Sequence, residues 1–266
     1  MNSGFQAQRV NDYIVNWLKS YAEKAKVKGF VIGISGGIDS AVTSFLCAQT
    51  QLETLCIEMP INQAPAHISR TKEHIDLLQS KYPNIKRAEV DLTSTFIELA
   101  RNLPQDAHEH KTNLALANMR ARLRMTTLYY FAGIESLLVA GTGNKIEDFG
   151  VGFFTKYGDG GVDISPIADL MKSEVNQLAQ YLNVPDSILR AVPTDGLFGD
   201  NRSDEEQLGA SYDELEKAMI AHQNGKESTD FLGREKEVFD IYLRLNTINQ
   251  HKMNPIPVCI IPQELK

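Results

Sequence analysis

The stretch Phe30-Val-Ile-Gly-Ile-Ser-Gly-Gly-Ile-Asp-Ser-Ala-Val constrains the fold more than any other part of the chain. Apart from Gly33, residues 30–34 are β-branched or aromatic, as in a strand buried on both faces of a parallel sheet. Gly36 and Gly37 then allow backbone angles and close approaches that side chains forbid, and the pattern restarts as a helix. A strand that turns through glycines into a helix leaves backbone N–H groups unpaired at the positive end of a dipole, which favours phosphate. Ser35 and Ser40 add hydroxyl donors to that nest. Asp39 would repel a bound phosphate unless a hard divalent cation such as Mg2+ lay between them, so the loop points to a magnesium nucleotide. No lysine follows the glycines, which excludes the GxxxxGK[ST] phosphate loop. The plainer alternative is an ordinary glycine-rich turn with Asp39 as a first-turn charge.

The chain has 266 residues, enough for one generous α/β domain. One domain over 1–266 is expected, helical in its C-terminal portion at about 195–250. Asp and Glu outnumber Lys and Arg by 34 to 27, and the net charge of -7 argues against gripping nucleic acid. The N-terminus shows no cationic leader with an apolar core, and no apolar run approaches membrane-spanning length. A cytoplasmic enzyme acting on small molecules, with no nucleic-acid or membrane partner, is the expectation. Cys47, Cys56 and Cys259 are scattered, without disulfide or zinc spacing, and read as small core or surface residues.

Along the chain, apolar residues at three- and four-residue steps predict a helix over 5–27. Strands follow at 54–58 and 86–92 with a helix at 67–78 between them, the alternation of a doubly wound, mostly parallel sheet with helices on both faces. Residues 112–132 read as a long helix. On it Arg120 and Arg124 share one face, while Arg122 lies about 200° away with Asn118 and Thr126. Arginines on opposed faces suit a subunit contact and an anionic ligand, although solvated surface charge is the duller account. A short strand at 136–141 leads into Thr142-Gly-Asn-Lys-Ile-Glu-Asp. Residues beyond the carboxyl ends of such strands face the ligand crevice, which puts Thr142 and Glu147 beside the first loop. Glu147 then supplies a second carboxylate for the cation that Asp39 holds. The glycine-rich run 153–166 reads as a binding loop, 172–182 as a helix, 192–206 as a polar turn-rich segment, and 212–249 as two or three helices broken near Gly225. His251-Lys252 precedes an extended tail from Pro255.

Ser35-Gly36-Gly37-Ile38-Asp39-Ser40 resembles the pyrophosphate loop of the N-type ATP pyrophosphatases. With Gly141-Thr-Gly-Asn-Lys-Ile-Glu and Phe153-Phe-Thr-Lys-Tyr-Gly-Asp-Gly-Gly added, the chain resembles the ammonia-dependent NAD synthetases over almost its full length. The second run is the more telling, because related ATP pyrophosphatases share the loop and lack it. The resemblance implies that ATP lies on Gly33, Ile34, Ser35, Gly36, Gly37, Ile38, Asp39 and Ser40 with Thr142, that Lys172 and Thr194 hold its phosphates, and that Asp39 and Glu147 ligate Mg2+. It places deamido-NAD against Arg122, Lys156, Asp163, His251 and Lys252, the last two reaching in from the C-terminal tail. One departure is a chain one residue longer between Glu147 and Gly152 than the commonest motif, which leaves Asp148 as a rival to Glu147 for the metal.

The implied reaction is attack of the nicotinate carboxylate on the α-phosphorus of ATP, giving an NAD-adenylate and pyrophosphate, followed by ammonia displacing AMP. Asp39 and Lys172 are the implied catalytic groups for the first step. Asp159 is the candidate to take the proton of ammonium, against the alternative that it only bonds backbone groups in its tight turn. The family likeness also implies a homodimer, with helix 112–132 contributing to its interface, and activity with ammonium rather than glutamine. The rival expectations are another adenylating ATP pyrophosphatase acting on a nucleotide or tRNA, and a nucleotide-binding regulator without chemistry.

Overall fold

The structure, a computed structural model, describes residues 4–63, 65–104, 109–192 and 203–266. Thr194, and the part of the turn-rich segment and helical C-terminal portion at 193–202, lie outside the described residues. Helix α1 (Ala7–Ala25) buries Ile14, Val15, Leu18 and Ala22 as a single stripe. It leads into β1 (Gly29–Gly33), α2 (Ile38–Gln49), β2 (Glu53–Glu58), α3 (Pro65–Lys81), β3 (Ile85–Glu89), α4 (Thr93–Arg101), α5 (Glu109–Glu135) and β4 (Leu137–Val139).

Among the described residues the sheet has four strands, all parallel, in the order β3-β2-β1-β4. Alternation along β1 divides the core. Phe30 and Ile32 pack with residues of α1, α2 and α3, whereas Val31 packs with Leu55, Ile57 and Val139 beneath α4 and α5. Helix α2 is buried along almost its whole length, which explains its apolar run Ala41-Val-Thr-Ser-Phe-Leu-Cys-Ala. The doubly wound parallel sheet with helices on both faces is therefore what forms. Strand order reverses between β1 and β4, and a ligand crevice opens at such a switch point.

Beyond β4 the chain forms a π-helix (Ile146–Val151), then α6 (Lys172–Tyr181), α7 (Asp186–Leu189), α8 (Asp204–Leu208), α9 (Tyr212–Gln223) and α10 (Gly233–Met253). Ile146 and Val151 pack with Leu215, Met219, Val238, Phe239 and Tyr242 in a second apolar cluster, so the C-terminal helices hold the π-helix.

Two local expectations are corrected. The third strand ends at Glu89 rather than at residue 92, because α4 begins at Thr93, whose N–H donates to Asp91 Oδ1 at 2.8 Å. Residues 146–151, for which the sequence pattern sets no element, form a π-helix. His251 and Lys252 belong to the last turn of α10, which ends just before Asn254-Pro255, where proline stops a helix. Cys47 and Cys56 are buried in the core and Cys259 is exposed. Among the described residues no helix is long and apolar enough to cross a membrane.

Candidate active site

The turn between β1 and α2 is held by its own hydroxyls. The Ser35 N–H donates to Ser40 Oγ (3.3 Å), the Ser40 hydroxyl donates to Gly37 O (2.9 Å), and the Gly37 N–H donates to Ser35 Oγ (3.2 Å). Gly36 takes φ of 79°, a left-handed angle that glycine adopts without strain. Gly37 is the N-cap of α2 and no side chain caps the helix, so the first N–H groups have no protein acceptor competing for them at the cap. Residues Gly33, Ile34, Ser35, Gly36, Gly37, Ile38, Asp39 and Ser40 all line one cavity of about 460 Å³, within the usual range for a small-molecule site.

Lys172, Thr142, Glu147, Asp148 and Asp159 line the same cavity. Lys172 opens α6 and is only 5% exposed. Its Nζ donates to Asp39 Oδ2 at 2.6 Å and to Glu147 Oε1 at 3.3 Å, tying together residues from α2, the π-helix and α6. Burial alone would lower the ammonium pKa. The charges of Asp39 and Glu147 outweigh it, and the group stays protonated with a pKa above its ordinary value.

Buried Asn144 explains how the two carboxylates meet. Its Oδ1 accepts from the N–H groups of Ile146 (3.1 Å) and Glu147 (3.2 Å), starting the π-helix, while its Nδ2 donates to Asp39 Oδ1 at 3.2 Å. From the C-terminal helices, the Tyr212 hydroxyl donates to Glu147 Oε1 at 2.6 Å, and the Lys172 ammonium lies 4.6 Å from the centre of the Tyr212 ring. Burial, then the negative charge of Glu147 and Asp204, raises the Tyr212 pKa and keeps its phenol a donor. Asp148 is pushed up to about 7, first by burial and then by Glu147, Asp159 and Asp39. Gly143 makes room for it: a Cβ there would fall 2.2 Å from Asp148 Oδ1.

A surplus of carboxylates around one lysine, all with oxygen donors, suits a hard cation. Among the described residues no group of three or more His, Cys, Asp or Glu side chains is arranged to chelate one. One or two carboxylates with phosphate oxygens completing the shell is the arrangement Mg2+ commonly takes, and Asp39 with Glu147 or Asp148 fits it.

Asp159 Oδ1 accepts from the Thr155 N–H at 3.0 Å, so it does bond backbone in its turn while it also lines the cavity. Helix α5 anchors this loop. Asn118 accepts from the Thr155 hydroxyl at 2.7 Å, and Arg122 donates through Nε and Nη2 to Lys156 O, both at 3.3 Å. The opposed face is engaged too: Arg120 stacks 4.1 Å from the Phe96 ring, and Arg124, which lines the cavity, donates to Met59 O at 3.1 Å.

The five residues expected to hold deamido-NAD gather around the glycine-rich loop rather than on the cavity wall. Lys156 Nζ donates to His251 O. Lys252 Nζ donates to Gly152 O and Phe154 O, each at 2.8 Å, and burial lowers its pKa. Asp163 accepts from the Tyr129 hydroxyl (2.9 Å) and the Val139 N–H (2.8 Å), joining α5 to the end of β4.

Asn144 and Tyr212 were not singled out from sequence, whereas Arg124 was read only as one of the arginines on the long helix. Asn144 sits inside the Gly-Thr-Gly-Asn-Lys motif, and the Ser211-x-x-Glu214 capping box that opens α9 marks Tyr212 as a first-turn residue.

Residues 10–256 match the family model described as NAD synthase. The NH(3)-dependent NAD(+) synthetase of Mesoplasma florum is 38% identical over 260 residues, 96% of either chain. The structure of an NMN synthetase from Francisella tularensis superposes with a TM-score of 0.81 at 30% identity, covering 97% of this chain and 99% of that one. The NH3-dependent NAD synthetase from Campylobacter jejuni, at 23% identity and a TM-score of 0.76 over 96% of this chain and all of that one, shares the fold. A pyrophosphate-type loop, a lysine between two carboxylates and a match across nearly the whole chain lead to one conclusion: the chain belongs to the NAD synthase family.

Proposed function

We propose that this chain amidates the nicotinate carboxyl of deamido-NAD with ammonia, converting ATP to AMP and pyrophosphate and yielding NAD+. One observation carries the reading: the uncapped start of α2 and its serine-glycine turn share a cavity with Lys172, which bridges Asp39 and Glu147. Those are the groups needed to hold a triphosphate and neutralise a departing pyrophosphate.

In the first half a nicotinate carboxylate oxygen bonds to the α-phosphorus while the bond to the bridging oxygen breaks, and pyrophosphate leaves with that electron pair. Gly33 to Ser40, Thr142 and Thr194 bind ATP, and Lys172 stabilises the charge that develops on the leaving group. Asp39 and Glu147 would hold Mg2+, whose charge would offset that of the phosphate oxygens. In the second half the ammonia lone pair adds to the acyl carbon, AMP leaves with the C–O electron pair, and one proton passes to a base. Asp159, on the cavity wall, takes that proton. Arg122, Lys156, Asp163, His251 and Lys252 form or support the deamido-NAD site through the loop they brace. The chain pairs as a homodimer through α5, whose Leu114, Tyr130 and Ile134 are exposed. Light scattering at twice the chain mass is expected.

The decisive assay mixes the protein with ATP, Mg2+, ammonium and deamido-NAD and measures NAD+ and pyrophosphate. Equimolar formation of both is expected; pyrophosphate without NAD+, or neither, defeats the reading. A second reading, amidation of nicotinate mononucleotide, is favoured by the likeness to the Francisella tularensis NMN synthetase. Comparing kcat/KM for the mononucleotide and the dinucleotide separates the two.

A further inference from the structure

Helix α9 reaches Lys172 and its immediate neighbour from two residues on one face. Tyr212, 4% exposed, donates its hydroxyl to Glu147 Oε1 and lies beneath the Lys172 ammonium. One turn on, Glu216 accepts from the Ser173 N–H (2.8 Å) and from the Ser173 hydroxyl (2.7 Å). Residues four apart on a helix are neighbours, so a single helix face grips both the carboxylate that pairs with Lys172 and the first turn of α6 that carries Lys172. A carboxylate at that turn also meets the positive end of the α6 dipole. Tyr212 is itself fixed, because its N–H donates to Glu205 Oε1 at 3.0 Å.

We propose that Tyr212 is a positioning residue for the reaction: its hydroxyl fixes the Glu147 carboxylate against Lys172, so that docking of α9 sets the geometry of the Lys172–Asp39–Glu147 group. Both the Tyr212 and the Lys172 bonds fall on Oε1 of Glu147. Without the hydroxyl, Lys172 keeps its shorter bond to Asp39 while the Glu147 carboxylate turns more freely. The loss then falls on chemistry and on cation response more than on ATP binding, whose serine-glycine turn keeps its own hydrogen bonds. This inference rests on the adenylating activity proposed above.

The test is Tyr212→Phe, which keeps the ring in its apolar cluster. Three measurements are made on the full chain: kcat and KM for ATP, the unfolding temperature without ligand, and the Mg2+ concentration giving half of the ATP-induced thermal shift. The expected result is kcat lower by about 30-fold, KM for ATP within about twofold, an unfolding temperature close to that of the parent, and a half-maximal Mg2+ concentration raised severalfold. In the double variant Glu147→Gln/Tyr212→Phe, the second change should add little to the loss of Mg2+ response, because the tyrosine acts through that carboxylate. A kcat within twofold of the parent overturns the proposal. So does an additive double variant, or an activity loss matched by a fall in unfolding temperature. If the unmodified protein releases no pyrophosphate, the adenylating activity fails instead; an unchanged Mg2+ response in Tyr212→Phe, read from the thermal shift alone, still overturns the role of Tyr212.

Discussion

The two sides of the cavity are built differently. On the sheet side, the functional groups are backbone N–H groups and short side chains at the ends of β1 and β4, and Lys172, Asp39 and Glu147 bond to one another across three elements. On the loop side, Arg122, Lys156 and Lys252 spend their charge on main-chain carbonyls of residues 152–156 and 251. The first side is a set of charges held ready for a ligand. The second is a set of charges holding a loop. Removing a group from the first should therefore damage chemistry, and removing one from the second should damage substrate binding.

The largest effect is expected from Lys172→Met. It removes the cation that Asp39 and Glu147 share, and a rate lower by on the order of 10³ is expected. Two carboxylates lose their buried partner, so the protein without Mg2+ should also be destabilised by about 3 kcal/mol. Added Mg2+ should restore part of that stability and little of the rate. A variant as stable as the parent without Mg2+ would mean that the sheet side is not a strained assembly of charge.

The sheet side has an acid weakness that follows from its core. His74 on α3 is fully buried against Phe45, its Nε2 lies 2.8 Å from Ser44 Oγ on α2, and burial pushes it down to about 4. Its unfolded pKa is near 6.5, so between those values the unfolded chain binds the additional proton. Stability is then complete above about pH 6.5 and falls as the pH drops towards 4. By pH 5 this one group should cost about 2 kcal/mol. Urea unfolding at pH 7.5 and pH 5 measures it. Leu in place of His74 should shrink the difference between the two pH values by that amount, and an unchanged difference would remove His74 as the cause.

How legible each side was in the sequence follows the same division. The turn at 35–40 could be read because glycines at a strand end admit few conformations, and the crevice rule then located Thr142 and Glu147 beside it. The π-helix could not be read from periodicity, since an i→i+5 turn has no period of its own in six residues. Helix α4 was hidden by Thr93-Ser-Thr, residues with weak helix preference, and forms because Phe96 buries against the sheet and Asp91 bonds its first N–H. His251 and Lys252 looked like tail because the proline drew the boundary too early. The link from Tyr212 to Glu147 joins positions 65 apart and no local pattern announces it.

Asp159 stands where the two sides meet, lining the cavity while bonding the loop. Asp159→Asn keeps an oxygen for the Thr155 N–H and removes the base. Adenylate formation, followed as pyrophosphate exchange into ATP, should change by less than about threefold. Amide formation should slow by on the order of 10². Equal loss in both steps would make Asp159 a turn residue only.

The smallest effect is expected on the loop side, and it is the sharpest test of the contrast. The Lys252 ammonium is half-buried, donates to Gly152 O and Phe154 O, and lies 5.5 Å from the Phe154 ring centre. Lys252→Met preserves the length and apolar stem of the side chain and deletes both hydrogen bonds. Each is charge-assisted, but the carbonyls released can turn towards water, so the net cost to folding should stay near 1 kcal/mol. The loop that begins at Gly152 should then be less well placed for the nicotinate substrate. KM for deamido-NAD should rise by about 10-fold, with kcat within about twofold and KM for ATP unchanged, the signature of lost uniform binding. If kcat falls while KM holds, Lys252 acts on the reacting atoms and the loop side is not merely a brace. Should neither move, the two carbonyl bonds hold a loop that the substrate never touches.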